Sequence, residues 1–356
     1  MSEKPLENVT IERVRRTDFD QLEKLFASAF HGEVEIEQLK RRIRRAHQFY
    51  YLLQPLSRFS MWIKNHFNIY VVKFGAKVVG FIQISFLNPV QMHIDYLAFS
   101  KQCRGQGLGR WVLSKLLANV ADVNDYDVVL EVRVDNPAYR FYQRLGFRNA
   151  AEILHYELHL GSDKAKIKHP AIKLEGFRPL AEEDRAKLYY LYQESVSAAM
   201  RQVVKRMHRE FNPSMMVRHL DSIKSYLMRK RKQEYVIERE GKIVAWLTVV
   251  SYLKVKSHVI SLILHPDFER LRLGLLTEAV SIIAEKYSQG VITTTIYNDD
   301  LSKKAALENL GFNNDLAYYL MYRPSVTKRR EAVRKIMRTK PVTGKHFKNT
   351  IKKEGY

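Results

Sequence analysis

The chain repeats itself. Phe177-Arg178 repeats Val14-Arg15 and Leu188 repeats Leu25 at an offset of 163 residues; Gly241-Lys-Ile-Val-Ala-Trp246 repeats Ala76-Lys-Val-Val-Gly-Phe81, and Leu310-Gly311-Phe312 repeats Leu145-Gly146-Phe147, both at 165. A nearly constant offset over so many segments is the mark of a duplicated module. At 356 residues the chain is long for one core and comfortable for two. The copies are expected at 1–160 and 174–323, joined by a polar linker, 161–173, that carries Gly161, Ser162, Asp163, four lysines and Pro170. A basic tail, 324–356, follows.

The first copy reads clearly in order. Val9 to Val14 is a strand, and Thr17 or Asp18 caps a helix with Leu22, Leu25, Phe26 and Phe30 on one face. Glu37 to Phe67 combines an arginine cluster with aromatic residues, the pattern of a helix packed on the sheet with its cations in water or, alternatively, of a helix lying on anionic lipid. Asn68–Phe74 and Lys77–Ser85 form a hairpin through Gly75-Ala76. Ile94 to Phe99 is then a strand, and Arg104-Gly105-Gln106-Gly107-Leu108-Gly109 leads into a helix with apolar residues at helical spacing (Leu108, Val112, Leu116).

A helix N-terminus offers unpaired N–H groups and a partial positive charge, and glycines ahead of it let phosphate oxygens approach. Arg104 adds a full charge. The simpler alternative is a helix entry that needs positive φ at a glycine. The loop is neither a P-loop, having no Gly-Lys-Ser/Thr, nor the Gly-x-Gly-x-x-Gly of a first βαβ unit.

About thirty residues on, the β-branched strand Asp127–Val134 runs into Asp135-Asn136-Pro137-Ala-Tyr-Arg-Phe141-Tyr142-Gln-Arg-Leu145-Gly146-Phe147. Asn136 suits an N-cap, Pro137 the first helical position and Gly146 the left-handed stop. Together these two stretches closely resemble the GCN5-related N-acetyltransferase (GNAT) superfamily. Its pyrophosphate loop, Arg/Gln-x-x-Gly-x-Gly/Ala, is matched by Arg104, Gly107 and Gly109, and its Asn…Ala…Phe-Tyr…Leu-Gly-Phe helix is matched from Asn136 to Phe147.

The resemblance implies an α/β (α+β) fold class: two tandem acyl-CoA N-acyltransferase folds, each a mixed, mostly antiparallel sheet flanked by helices. It implies acetyl-CoA as acyl donor and no metal. The pantetheine pairs with backbone groups of Leu97, Ala98 and Phe99, the pyrophosphate sits on the amides of Arg104, Gly105, Gln106, Gly107, Leu108 and Gly109, and Asn136 belongs to the same site. It also makes the region after the first helix one wall of the acceptor site. The reaction is direct attack of an amine on the thioester, which needs a base for the ammonium proton, a donor for the oxyanion and an acid for the thiolate. Tyr142 is the candidate acid. His93 and Asp95, two apart on a strand and so on one face, are the candidate base, with the choice between them open and hydrogen bonding at a strand end as the alternative.

Carried at 165, Arg104 falls on Glu269, Gly105 on Arg270, Gly107 on Arg272, Asn136 on Leu301 and Tyr142 on Leu307; only Gly109 keeps its like, Gly274. The second copy is expected to be degenerate, a structural or substrate-shaping module.

The net charge of +22 argues for an acidic partner. Ten Lys/Arg lie between Arg201 and Lys232 and twelve between Arg323 and Tyr356, either solvated faces or an attachment to RNA, a ribosome, an acidic carrier protein or an anionic membrane surface. Met1 to Val9 has no apolar leader and no run is long enough to span a bilayer, so the protein is expected to be cytoplasmic. Its one cysteine, Cys103, excludes an internal disulfide and a cysteine-rich metal site, and reads as a small side chain in a tight turn. Three functions stay in view: an N-acetyltransferase acting on an amine, a nucleic-acid- or ribosome-binding protein built on that scaffold, and a CoA-binding regulator.

Overall fold

The computed structural model describes residues 8–29, 68–161 and 174–339. The expectations for Glu37–Phe67, for 162–173 and for the tail beyond 339 lie outside the described residues.

In the first half, β1 (Val9–Arg13) is followed by a 3-10 turn, in which Asp18 accepts the Arg15 N–H at 2.8 Å, and by α1 (Phe19–Ala29). Asp18 thus closes the turn ahead of the helix. Phe19, Leu22, Leu25 and Phe26 bury one face of α1 against Ile69, Val71 and Phe81 of the hairpin β2 (Ile69–Phe74) and β3 (Lys77–Asn88), at about 1.5–3 kcal/mol for each fully buried side chain. Next come β4 (Gln91–Phe99), α2 (Leu108–Leu116), β5 (Asp127–Arg133), α3 (Ala138–Arg144) and β6 (Arg148–Leu160). Helices α2 and α3 cover the other face of the sheet over Ile94, Leu130 and Val132.

The second half repeats this order. β7 (Phe177–Pro179) precedes α4 (Arg185–Ser195), α5 (Ala198–Val203), α6 (His208–Phe211) and α7 (Met215–Leu227). Then come β8 (Lys230–Arg239), β9 (Lys242–Tyr252), β10 (Ser257–Leu264), α8 (Arg272–Ala284), β11 (Gly290–Tyr297), α9 (Leu301–Asn309), β12 (Asn313–Arg323) and α10 (Val326–Thr339).

The two folds share one twelve-stranded sheet in the order β1-β2-β3-β4-β5-β12-β6-β11-β10-β9-β8-β7. It is antiparallel except where β4 meets β5 and β10 meets β11. The last strands are exchanged: β12 lies beside β5 of the first half, and β6 lies beside β11 of the second. At the centre β6 and β12 pair with each other, and Ile153 faces Tyr318. Those two residues are separated by the repeat offset of 165, so each faces its own counterpart and a pseudo-twofold axis passes between them.

Candidate active site

The site begins where two strands part. β4 and β5 pair in parallel over Gln91–Ile94 and Asp127–Leu130, and no further. Beyond that point Asp95–Phe99 keep β3 on one side only, while Glu131–Arg133 keep only β12, which lines β5 from Val128 to Arg133. The pairing with β3 jumps from Tyr96 to Ile94, leaving Asp95 as the extra residue of a β-bulge, the device by which a strand re-aims a side chain. Asp95 Oδ1 accepts the Ser85 hydroxyl at 2.8 Å and lies 2.7 Å from His93 Nδ1. The two candidate bases are therefore one unit. Burial alone would lower the His93 pKa, but the hydrogen bond and charge of Asp95, with the charge of Glu131 behind them, outweigh it and hold it above 6.5.

Glu131 was missed in the sequence. It is the one charge in Val128-Val-Leu-Glu-Val132, stands exposed at the first position of β5 past the parting point, and acts on His93 across the fork. A lone carboxylate in an apolar strand was the available signal.

The glycine loop follows β4 through a 3-10 turn, Lys101–Cys103, and Arg104 Nε donates to the Phe99 carbonyl at 3.1 Å. Gly105 and Gly107 have φ of +77° and +80°, and a Cβ on either would meet nothing within 4 Å. Gly107 is the N-cap of α2, and no described backbone carbonyl accepts from the N–H groups of Gly105, Gln106 or Gly107. Gly109 does something else. A Cβ there would lie 3.3 Å from the Phe99 ring, and one on Gly80 would fall on the same ring; the two glycines make room for Phe99 between β3 and α2. Leu108 packs with Val72, Val79 and Val112, with Cys103 against the same cluster. Leu97 and Ala98 pair with Ile82 and Phe81. Gln106 turns back to the Gln102 carbonyl at 2.9 Å.

Tyr142, on α3, packs against Phe141 and Phe147 and is 9% exposed. Burial pushes its pKa up to about 12, and its hydroxyl has no hydrogen-bond partner among the described residues. Asn136 Oδ1 accepts the Ala138 N–H at 2.9 Å and fixes the start of α3.

At the equivalent places the second half is filled by its own charges. β10 and β11 part after Val259 and Thr293, but β10 has no bulge. Arg272, at the position of Gly107, is buried in a two-pronged ion pair with Glu269, at the position of Arg104; Ser302 donates to Glu269 at 2.9 Å and Asp300 stands 3.4 Å from Arg272. Lys303 is buried beside them, donates to the Thr295 carbonyl at 3.1 Å, and is pulled down to about 8 by burial.

The second half also closes one side of the first. Gln91 Nε2 donates to the Val203 carbonyl at 2.5 Å and Asn88 Nδ2 to the Lys205 carbonyl at 2.9 Å. Val203 packs on Val129, the β5 partner of His93, together with Ile153 and Leu320. Asp127, fully buried at the start of β5, is held by Lys205 at 2.5 Å, Lys328 at 2.6 Å and the Ser325 N–H at 2.9 Å.

Among the described residues no three His, Cys, Asp or Glu side chains converge as metal ligands, and no helix is long and apolar enough to cross a membrane.

Comparison with known proteins bears on this arrangement. Residues 24–147 match the Acetyltransferase (GNAT) family. A stretch of 84 residues, 22% of this chain and 52% of the relative, is 42% identical to an uncharacterized N-acetyltransferase of Methanocaldococcus jannaschii. The chain thus spans about half the length of that relative. Over 159 residues, 41% of this chain and 84% of the relative, it is 26% identical to an N-alpha-acetyltransferase of Sulfurisphaera tokodaii. Among solved structures, the fold is similar to a GCN5-related N-acetyltransferase of Sphaerobacter thermophilus (TM-score 0.59, 14% identity, 90% of this chain and 98% of that one). It is also similar to a tandem GNAT protein from the clavulanic acid biosynthesis pathway (TM-score 0.56, 13% identity, 89% and 98%). At these identities the structures speak for the fold alone.

Proposed function

We propose that the chain, whose residues 24–147 match the Acetyltransferase (GNAT) family, moves an acetyl group from acetyl-CoA to an amine by direct attack in a ternary complex. The observation that carries this reading is the coincidence, at one parting of β4 and β5, of the His93–Asp95 pair, the open glycine loop and the unpartnered Tyr142 hydroxyl. The second half has the same parting and none of the three.

The loop fits a diphosphate: free N–H groups, open space where side chains would stand, and Arg104 beside them. Gly105 to Gly109 would hold it through their amides, the Arg104 N–H being given to the Lys101 carbonyl at 3.3 Å, with Leu97, Ala98 and Phe99 offering the unpaired edge of β4 to the pantetheine arm. The donor supplies an activated thioester. His93 takes the proton of the acceptor ammonium, directly or through water, while Asp95 fixes its tautomer. Tyr142 keeps its proton until the thiolate departs and then gives it up. Amine and thioester go in; amide and thiol come out.

The likeness to an N-alpha-acetyltransferase makes the α-amine of a polypeptide the first acceptor to test. We read Arg201–Lys232 and the tail as the part that places the enzyme on a polyanionic surface. Thiol release from acetyl-CoA, followed with peptides, amino acids and polyamines as acceptors, is the assay. Turnover with one amine class is expected, and no release with any of them, together with no binding of CoA to the full chain, would overturn the proposal.

A further inference from the structure

Helix α7 is built inside out. Polar residues take its inner face, Arg218 half-buried in an ion pair with Glu182 and Ser225 half-buried two turns on, while His219, Asp221 and Ser222 are exposed. Its apolar residues turn outward, with Met216 71%, Leu220 60%, Ile223 59%, Tyr226 84% and Leu227 70% exposed. Met216, Leu220, Ile223 and Leu227 recur at helical spacing and make one continuous stripe. Water does not stabilise a helix in this orientation, and a contiguous apolar face of this size marks a contact.

The surroundings say what the contact is with. The Leu253 N–H donates to the Arg229 carbonyl at 3.0 Å, which brings the turn after β9 to the end of α7 and adds Leu253, 42% exposed, to the apolar face. Arg229, Arg231 and Lys254 stand exposed around that end, with no ion-pair partner among the described residues. An apolar stripe with a fringe of free cations is the pattern of a helix that lies in a lipid interface, side chains among the acyl chains and cations among the phosphates. A second copy of this chain fits badly, because a net charge of +22 would meet its like. RNA fits badly too. Arg201, Lys205, Arg206 and Lys232 are already tied to carbonyls or carboxylates of the protein, and what faces outward is largely aliphatic.

We infer that α7 and the adjoining β9–β10 turn dock the protein on an anionic membrane surface, α7 lying in the plane of the headgroups. This rests on the reading of Arg201–Lys232 as an attachment to a polyanion and is independent of acyl transfer.

The experiment is flotation of the full chain with phosphatidylcholine vesicles, with and without phosphatidylglycerol, beside a size measurement and an RNA-binding measurement. Binding is expected only with the anionic lipid and is expected to weaken as salt rises. The double change Leu220→Asp and Ile223→Asp should weaken it on the order of a hundredfold, and Arg229→Glu with Arg231→Glu at least about tenfold. The second pair leaves the packing untouched and serves if the first does not fold. In Tyr226→Trp the emission of the new indole should move to the blue on anionic vesicles and not on neutral ones. Four outcomes overturn the inference: no binding to anionic vesicles; binding that both pairs leave intact; a dimer that Leu220→Asp turns into a monomer; or tight RNA binding with none to lipid. Loss of thiol release in solution would count against the enzyme and not against this surface.

Discussion

His93 carries the clearest prediction at the scale of single residues. A base must be neutral to take a proton, and Asp95 and Glu131 raise the His93 pKa against the opposing effect of burial. The rate should therefore climb with pH through an apparent pKa above 6.5, and Asp95→Asn should move that limb to lower pH while reducing the plateau about tenfold. A profile of kcat/KM against pH decides it, and an unmoved limb would separate the pair from proton transfer. Stability has the opposite sign. A raised His pKa stabilises the fold fully below 6.5 and loses that contribution as pH rises through the folded value. Tyr142, at about 12, keeps its proton throughout the neutral range, so Tyr142→Phe should lower kcat on the order of a hundredfold at every pH tested. Spacing put His93 and Asp95 on one face of a strand in the sequence, and the family resemblance singled out Tyr142. The joining of His93 to Asp95 was not legible there, because a bulge adds one residue to a strand without disturbing its composition.

Among the elements, the glycine loop was legible as a strand, a tight turn and a helix start, since glycine alternation and helical periodicity survive in any context. Its three glycines proved unequal. Gly107 needs its positive φ, and an alanine there costs roughly 1–2 kcal/mol of backbone strain. Gly107→Ala should raise KM for acetyl-CoA about tenfold with kcat nearly unchanged and lower the melting temperature by about 2–8 °C; an unchanged KM would remove the loop from cofactor binding. Gly109 is read differently: it clears space for Phe99, so substitution there should act through the packing of α2. Helix α7 was the least legible element. Its lysines and arginines were counted correctly, but which face a helix turns to the body depends on Glu182, more than thirty residues away, and no local pattern carries that.

For the whole molecule, the offset of 165 disclosed the duplication and could not disclose the exchange of β6 and β12, because a strand has the same alternation whichever edge it joins. We propose that residues 1–160 and 174–323 are modules by descent that fold as one. Heat and denaturant should then give a single transition. Asp127 ties the halves together through Lys205, Lys328 and the Ser325 N–H. Asp127→Ala strands two lysines and should cost about 3–5 kcal/mol in denaturant unfolding without dividing the transition. Two transitions in either protein would show the halves to be independent. Asp127 has a lowered pKa, so its contribution is present at neutral pH and is lost as pH falls through the folded value.

The interleaving of strands also governs when the candidate site comes into being. The free edge of β5 waits for a neighbour that leaves the ribosome about 180 residues later, on the order of 10–40 s at ordinary elongation rates. Through that interval the nascent chain exposes an open strand beside its half-made fork, and a transcript cut short after the first module would yield an aggregation-prone polypeptide in place of a smaller folded domain.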